Sequence, residues 1–314
     1  MKRLILKRLV SMPPVVLVVT MITFSLVLLL PGDPAAILLG EEGDAELLEK
    51  YRKELGLDRP IHIQYIDWLS DVVRGDWHHS LRTHLPITEE IKNRLPVTLE
   101  LGLLGLALAL AISIPVGIIS AARPNTLIDN ISTLVAMFGV AIPNFWLGIL
   151  LIYLFSVFLG WFPATGFVPL SEDVGENLKG MIMPTIAFGT SHAAVLLRQT
   201  RSGMLEVLRQ DYVRTAFSKG LAERQVMIRH ALKNALIPLI TIAGLEVGQL
   251  LGGSVIVETI FGLPGVGRLA VTGVIMNDLP VVQGVLLMFA FWVILANLAA
   301  DISYGFVDPR IRYQ

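Results

Sequence analysis

The chain has 314 residues, 54% hydrophobic and only 16% charged, with a formal net charge of −1 and a mean hydropathy of +0.67. That balance is too apolar for an ordinary water-soluble domain and names the lipid bilayer as solvent. The lack of any cysteine excludes disulfides, thiolate metal sites and cysteine nucleophiles, and no basic patch with interleaved aromatics suggests nucleic acid.

Lys2, Arg3, Lys7 and Arg8 precede a first uncharged run, Leu9 to Leu30. A signal peptide starts the same way, but this run exceeds a signal core and no small-residue cleavage site follows, so it reads as a retained anchor. A bilayer core of about 30 Å takes roughly 20 helical residues. Residues 101–122, 131–158, 180–197, 234–257 and 279–300 meet that length or approach it, giving about six spans in an all-α integral membrane protein. The runs are continuously apolar, whereas barrel strands alternate.

Between the first and second spans, residues 31–100 carry 14 acids and 8 basic residues. Asp44 to Leu57 and Ile61 to Val73 read as short amphipathic helices, a small helical segment on the external surface that buries Trp68 and Trp77. The third run stays uncharged from Asn130 to Ser171. Pro143, Gly160, Pro163 and Gly166 interrupt it, predicting one helix to about Phe158, kinked at Pro143 and Asn144, then an external turn with Trp161 and Phe162 near the interface.

Arg198 to Lys233 holds eight basic residues against Glu206, Asp211 and Glu223, and the tail after Asp301 holds Arg310 and Arg312 against Asp308. Phe162 to Lys179 carries Glu172, Asp173 and Glu176 against one lysine. Basic connections stay cytoplasmic, so both termini and the 198–233 loop are expected there. Gln199 to Pro238 is amphipathic and predicts two or three short helices with a tight turn at Gly220. It suits docking in a groove on a partner, or equally a basic loop held at lipid headgroups.

In the fifth span Gly244, Gly248 and Gly252 recur on one helix face, for packing within the chain or against a partner. Glu246 and Gln249 lie off that stripe. An ionisable group at membrane depth faces water or a partner, so Glu246, Gln249 and Asn144 are candidates for the translocation pathway, with structural hydrogen bonding as the other reading of Glu246. Glu258 and Asp301 lie nearer the span ends, where interfacial solvation accounts for them.

No Gly-Lys pair is present, so the phosphate-cradling loop of ATPases is missing. Neither a His-Glu-x-x-His helix nor a Gly-x-Ser-x-Gly elbow occurs. The six histidines, His78, His79 and His192 among them, lack metal-ligand spacing and read as surface or packing residues. No catalytic residue and no metal site is expected. An intramembrane enzyme would need paired catalytic groups at one depth, and a receptor or scaffold would not need a loop of this form.

The run DYVRTAFSKGLAERQVMIRHALKNALIP, Asp211 to Pro238, resembles the EAA loop of importer permeases of the ATP-binding-cassette class, in the variant of the dipeptide, oligopeptide and nickel permease family. Arg214, Thr215 and Ala216 stand at the Glu-Ala-Ala positions and Gly220 at the motif glycine, so the glutamate and first alanine are replaced. Leu232 matches the motif leucine, and Lys233 stands where many sugar permeases have proline. LLPGDPA at Leu29 to Ala35, LGLDRP at Leu55 to Pro60, GGSVIVETIFGLPGVGRL at Gly252 to Leu269 and DPRIRY at Asp308 to Tyr313 extend the resemblance along nearly the whole chain.

The resemblance implies a type I importer permease fold in a bacterial or archaeal cytoplasmic (inner) membrane. Its partners would be a second, different permease forming the other half of the pathway, two ATP-binding subunits carrying ATP and Mg, and an extracytoplasmic substrate-binding protein. This chain would hold no cofactor of its own. Asp211, Arg214, Thr215, Ala216, Gly220 and Glu223 would couple it to the ATPases. The implied solute is a di- or oligopeptide, with nickel chelate, glutathione or another small polar solute as the alternative.

Overall fold

A computed structural model describes residues 2–29, 45–54 and 56–307. Among them the chain is mostly helical, its one β feature an isolated bridge between His79 and Pro86. Most of the LLPGDPA passage, Leu55 and the C-terminal DPRIRY run lie outside the described residues, as do Asp44 and the tail charges Asp308, Arg310 and Arg312.

Helix α1 spans Lys2–Leu29, α2 Ala45–Glu54 and α3 Ile61–Arg74. Helix α4 covers Ile87–Ala122, with Glu89 and Glu90 in its first turn, where the helix dipole favours acids. Helices α5 (Leu127–Ala141) and α6 (Asn144–Leu151) follow, α6 continuing as a π-helical stretch over Ile152–Phe158. Asp173 caps α7 (Val174–Leu208) by accepting from the backbone N–H groups of Gly175 at 2.8 Å and Glu176 at 3.0 Å. Then come α8 (Asp211–Ser218), α9 (Lys233–Phe261), α10 (Val266–Ile275) and α11 (Leu279–Val307).

Four of these helices contain stretches long and apolar enough to cross a bilayer: Ile87–Ala122, Val174–Leu208, Pro238–Phe261 and Leu279–Ala300. Leu127–Ala141 and Asn144–Phe158 pass the same test only as a pair, bent by 98°. Residues 131–158 are therefore not one kinked helix but two helices in a sharply bent pair, the shape of a broken span or of a re-entrant loop. Pro143 has no N–H to donate and pushes Ile142 out of the helical region, to ψ 119°, and that ends α5. Helical segments also run past the spans read from the uncharged runs. Helix α4 starts at Ile87, α7 covers Val174–Leu208, α9 reaches Phe261 and α11 Val307.

The bundle has two ends. At one, Ala121, Met204, Met227, Ala231 and Ala235 pack together beside the segment that carries α8. At the other, Val97, Leu101, Met181, Phe188, Val257, Phe261 and Leu263 form the largest core cluster. There α3 lies on α1 and α11 through Phe24, Tyr65, Trp68 and Leu287, with the Tyr65 and Thr20 hydroxyls 2.8 Å apart. Trp77 packs against the same layer. The following loop is clasped to the turn before α11: Ser80 Oγ donates to Asp278 at 2.5 Å, Leu81 N–H donates to the same carboxylate at 3.1 Å, and Arg82 donates to the Met276 carbonyl.

Candidate functional site

The 198–233 segment is less loop than the sequence suggests. Its first part, to Leu208, is the end of α7, and its last part, Glu223–Gln225 followed by a π-helical turn over Val226–Leu232, runs directly into α9. Helix α8 is the one free-standing helix between them among the described residues. Val213 and Ala216, three residues apart, are buried against Val207, Leu208, Leu221 and Val226. The opposite side of α8, with Asp211, Tyr212, Arg214, Thr215 and Phe217, is exposed. Thr215 Oγ1 donates to the Asp211 carbonyl at 2.9 Å, and Asn234 at the root of α9 donates to the Tyr212 hydroxyl at 2.7 Å. Arg214 and Asp211 stand 3.9 Å apart in full solvent, a pair that contributes little.

Gly220 leaves α8 at φ +75°, its N–H donating to the Phe217 carbonyl at 2.9 Å, and a Cβ there would meet nothing within 4 Å. Its requirement is backbone conformation alone. Glu223 opens the next turn and is exposed. The six motif residues are thus brought together on one short helix and the turn after it, with Ala216 the one that faces inward.

Just above α8, Asp129 accepts both Arg201 nitrogens, Nε at 2.6 Å and an Nη at 2.8 Å, the Ser120 hydroxyl at 2.5 Å and the Asn125 N–H at 2.8 Å. This buried carboxylate joins the α4–α5 turn to α7 ten residues before Asp211. Arg201 was counted only among the eight basic residues of 198–233 and Asp129 was not read at all; their place at the ends of neighbouring apolar runs was the available signal.

Within the bundle Glu246 of α9 pairs with Nδ1 of His192 on α7, each side chain 12% exposed. The His192 ring also lies 4.7 Å, centroid to centroid, from Phe188. The carboxylate has a structural partner, and the histidine read as packing is that partner. Gln249 is exposed with Leu245, Gly252, Ile256 and Thr259 on one face of α9. Asn144 sits half-buried at the break, and α6 meets α9 at Gly148 against Phe261. Glu246 lies roughly four turns earlier on α9, so Asn144 does not join its cluster. Removing the ring by His192→Ala leaves a nearly buried carboxylate unpaired. The expected loss is about 1–3 kcal/mol of stability, and Glu246→Gln, which keeps a hydrogen bond, should lose less; thermal unfolding of the purified chain checks both.

The glycine stripe divides. A Cβ at Gly244 would come within 2.8 Å of Ala300, Gly248 lies against Ala296 and Asn297, and Gly252 has open space. The first two pack within the chain on α11. Glu258, assigned above to interfacial solvation, is instead fully buried.

Comparisons with known proteins agree with this architecture. Residues 113–313 match the binding-protein-dependent transport system inner membrane component, and residues 1–102 match the N-terminal membrane component of such systems. A Brucella abortus protein named for a peptide transport system is 43% identical over 313 residues, covering 100% of both chains. The oligopeptide permease AppB of Bacillus subtilis is 42% identical over 98% of this chain and 99% of its own. The glutathione permease GsiC of Salmonella typhi is 40% identical over 99% of each. A chain of the inward-facing MetNI methionine ABC transporter superposes with a TM-score of 0.57 at 20% identity, covering 70% of this chain and 96% of that one, a likeness of fold. With its sharply bent α5–α6 pair, its two long helices joined through α8 and full-length relatives of one kind, the chain belongs to the inner membrane component family of binding-protein-dependent transport systems, a family of multi-pass transport permeases.

Proposed function

We propose that the chain is one permease of an ATP-driven importer of di- and oligopeptides, and that α8 is the element its ATPase partners move. The observation that carries this is the continuity of α8 with two long helices: Val213 and Ala216 fasten it to the end of α7 and to the π-helical turn that runs into α9, while its other face is bare. Rotating a short rigid helix between two spans tilts both, a route from nucleotide closure to alternating access. In this reading ATP and Mg sit on two partner subunits, a second homologous permease completes the pathway, and an extracytoplasmic binding protein delivers the solute. Both termini and α8 are cytoplasmic. The peptide assignment rests on relatives named for peptides and oligopeptides. Glutathione, itself a tripeptide, is the second reading, favoured by the 40% identical glutathione permease.

Uptake by proteoliposomes holding the assembled transporter tests it. Labelled di- and oligopeptides should accumulate with ATP and the binding protein, and nickel chelate should not; accumulation of nickel alone would sink the peptide reading. Gly220→Val should abolish uptake while peptide affinity of the binding protein is untouched. A β-branched residue at φ +75° costs about 1–2 kcal/mol and re-aims the exit from α8. Gly220→Asn, which tolerates that conformation, should retain much of the activity. Equal activity of the two variants would remove Gly220 from the coupling element.

A further inference from the structure

Helix α9 begins where the coupling segment ends and runs 29 residues, roughly 43 Å, to the far end of the bundle. One turn before its end stands Glu258, 0% exposed. Its Oε1 accepts the hydroxyls of Thr98 and Ser254, each at 2.8 Å, and its Oε2 accepts the backbone N–H of Arg268 at 2.9 Å. Thr98 in turn accepts the N–H of Val266 at 2.9 Å. Val266 and Arg268 are the first and third residues of α10, whose own N-cap, Gly265, has no side chain to offer. An anion at a helix N-terminus meets unsatisfied N–H groups and the positive end of the dipole, so the carboxylate of α9 serves as the missing cap of α10.

The backbone is shaped around that carboxylate. A Cβ on Gly265 would overlap the Glu258 carboxyl, and one on Gly267 would reach within 2.9 Å of its Oε2 and 2.7 Å of the Val255 Cα. Helix α10 is also short and apolar, burying Val266 and Leu269 among Ile87, Ile91, Val281 and Val285, while its last turn, with Val274 and Ile275, is exposed.

We propose that Glu258 is a positioning residue that locks α10 to the far end of α9, so that movement entering at α8 is delivered to α10 at the opposite end of the bundle. This rests on the coupling role of α8 proposed above. Glutamine tests it well, because Glu258→Gln keeps the side chain's shape and its acceptor for the two hydroxyls. Its amide nitrogen, however, would face the Arg268 N–H donor to donor. A role in packing alone would not notice that change. Thr98→Val likewise keeps volume and removes the acceptor for Val266.

The chain has no native cysteine, so Val274→Cys and, separately, Ser218→Cys on the exposed face of α8 each give a single thiol. The assembled transporter in nanodiscs is labelled with a soluble maleimide, with and without ATP and vanadate. In the otherwise native chain, the labelling rate at Val274→Cys should change with nucleotide by about fivefold or more, the scale of a typical coupling between sites. Glu258→Gln should bring that ratio close to one, Thr98→Val should lower it, and both variants should still co-purify with their ATPases. An unchanged ratio in Glu258→Gln overturns the proposal, as does a native ratio of one. Ser218→Cys separates the two readings. If it is shielded by the bound ATPases while the Glu258→Gln ratio stays native, only the role of Glu258 fails; if it is never shielded, the coupling role of α8 fails and takes this inference with it.

Discussion

Arg201→Leu is expected to destabilise the fold by about 3–5 kcal/mol, and Asp129→Ala by less, because the two changes strand different charges. The Asp129 side chain is 3% exposed and that of Arg201 29%. Losing the arginine leaves a carboxylate in the interior with only the Ser120 hydroxyl and the Asn125 N–H as donors. Losing the aspartate leaves a guanidinium on a long stem that can swing its head toward water. Arg201→Lys should rescue poorly, since a single ammonium cannot make the two parallel bonds that Nε and Nη make at 2.6 and 2.8 Å. The double variant Asp129→Leu with Arg201→Leu should cost less than Arg201→Leu alone, as both charges are then gone. Unfolding of the four purified variants measures the order. Equal losses for the two single changes would mean that the pair is more hydrated than its burial implies.

The pair also shows where reading the sequence stops. Run length revealed the membrane because each span must satisfy its backbone internally, a requirement written locally in every helix. The amphipathic stretches after Asp44 and Ile61 were legible for the same reason, as was the turn at Gly220. Long-range pairing was not. Nothing local says that Asp129 meets Arg201, that His192 meets Glu246, or that Glu258 serves a helix that starts eight residues later; each needs the bundle to close first. The bend between α5 and α6 was half legible: Pro143 predicted a disturbance, but its angle of 98° depends on what α5 and α6 pack against. The glycines were partly legible. A regular four-residue spacing marked Gly244 and Gly248, which pack on α11, whereas the most extensive helix-on-helix approach uses residues whose spacing is masked by alanine and serine.

That approach is between α4 and α7, which run side by side with Gly102, Gly105, Ala109, Ser113 and Gly117 of α4 all buried. A Cβ on Gly189 would stand 2.9 Å from the Gly105 carbonyl oxygen and 3.3 Å from Leu108, and one on Gly105 would stand 2.5 Å from the Phe188 ring. Farther along, Gly117 faces Thr200 at 2.7 Å. In a bilayer such contacts matter more than apolar burial, because lipid tails are as apolar as leucine and helices associate by close packing. Gly189→Val is therefore expected to cost at least the roughly 1–3 kcal/mol of an overpacked core, and more if the rigid carbonyl of Gly105 cannot retreat. Separating α4 from α7 would also pull Ser120 and Asp129 away from Arg201, so the loss should add to that of Gly189 itself. The control is Gly252→Ala. With nothing within 4 Å, it should leave the isolated chain as stable as before or up to about 1 kcal/mol more so, the usual gain from replacing glycine inside a helix. A thermal melt in which both substitutions behave alike would show that the α4–α7 seam has more slack than its geometry allows.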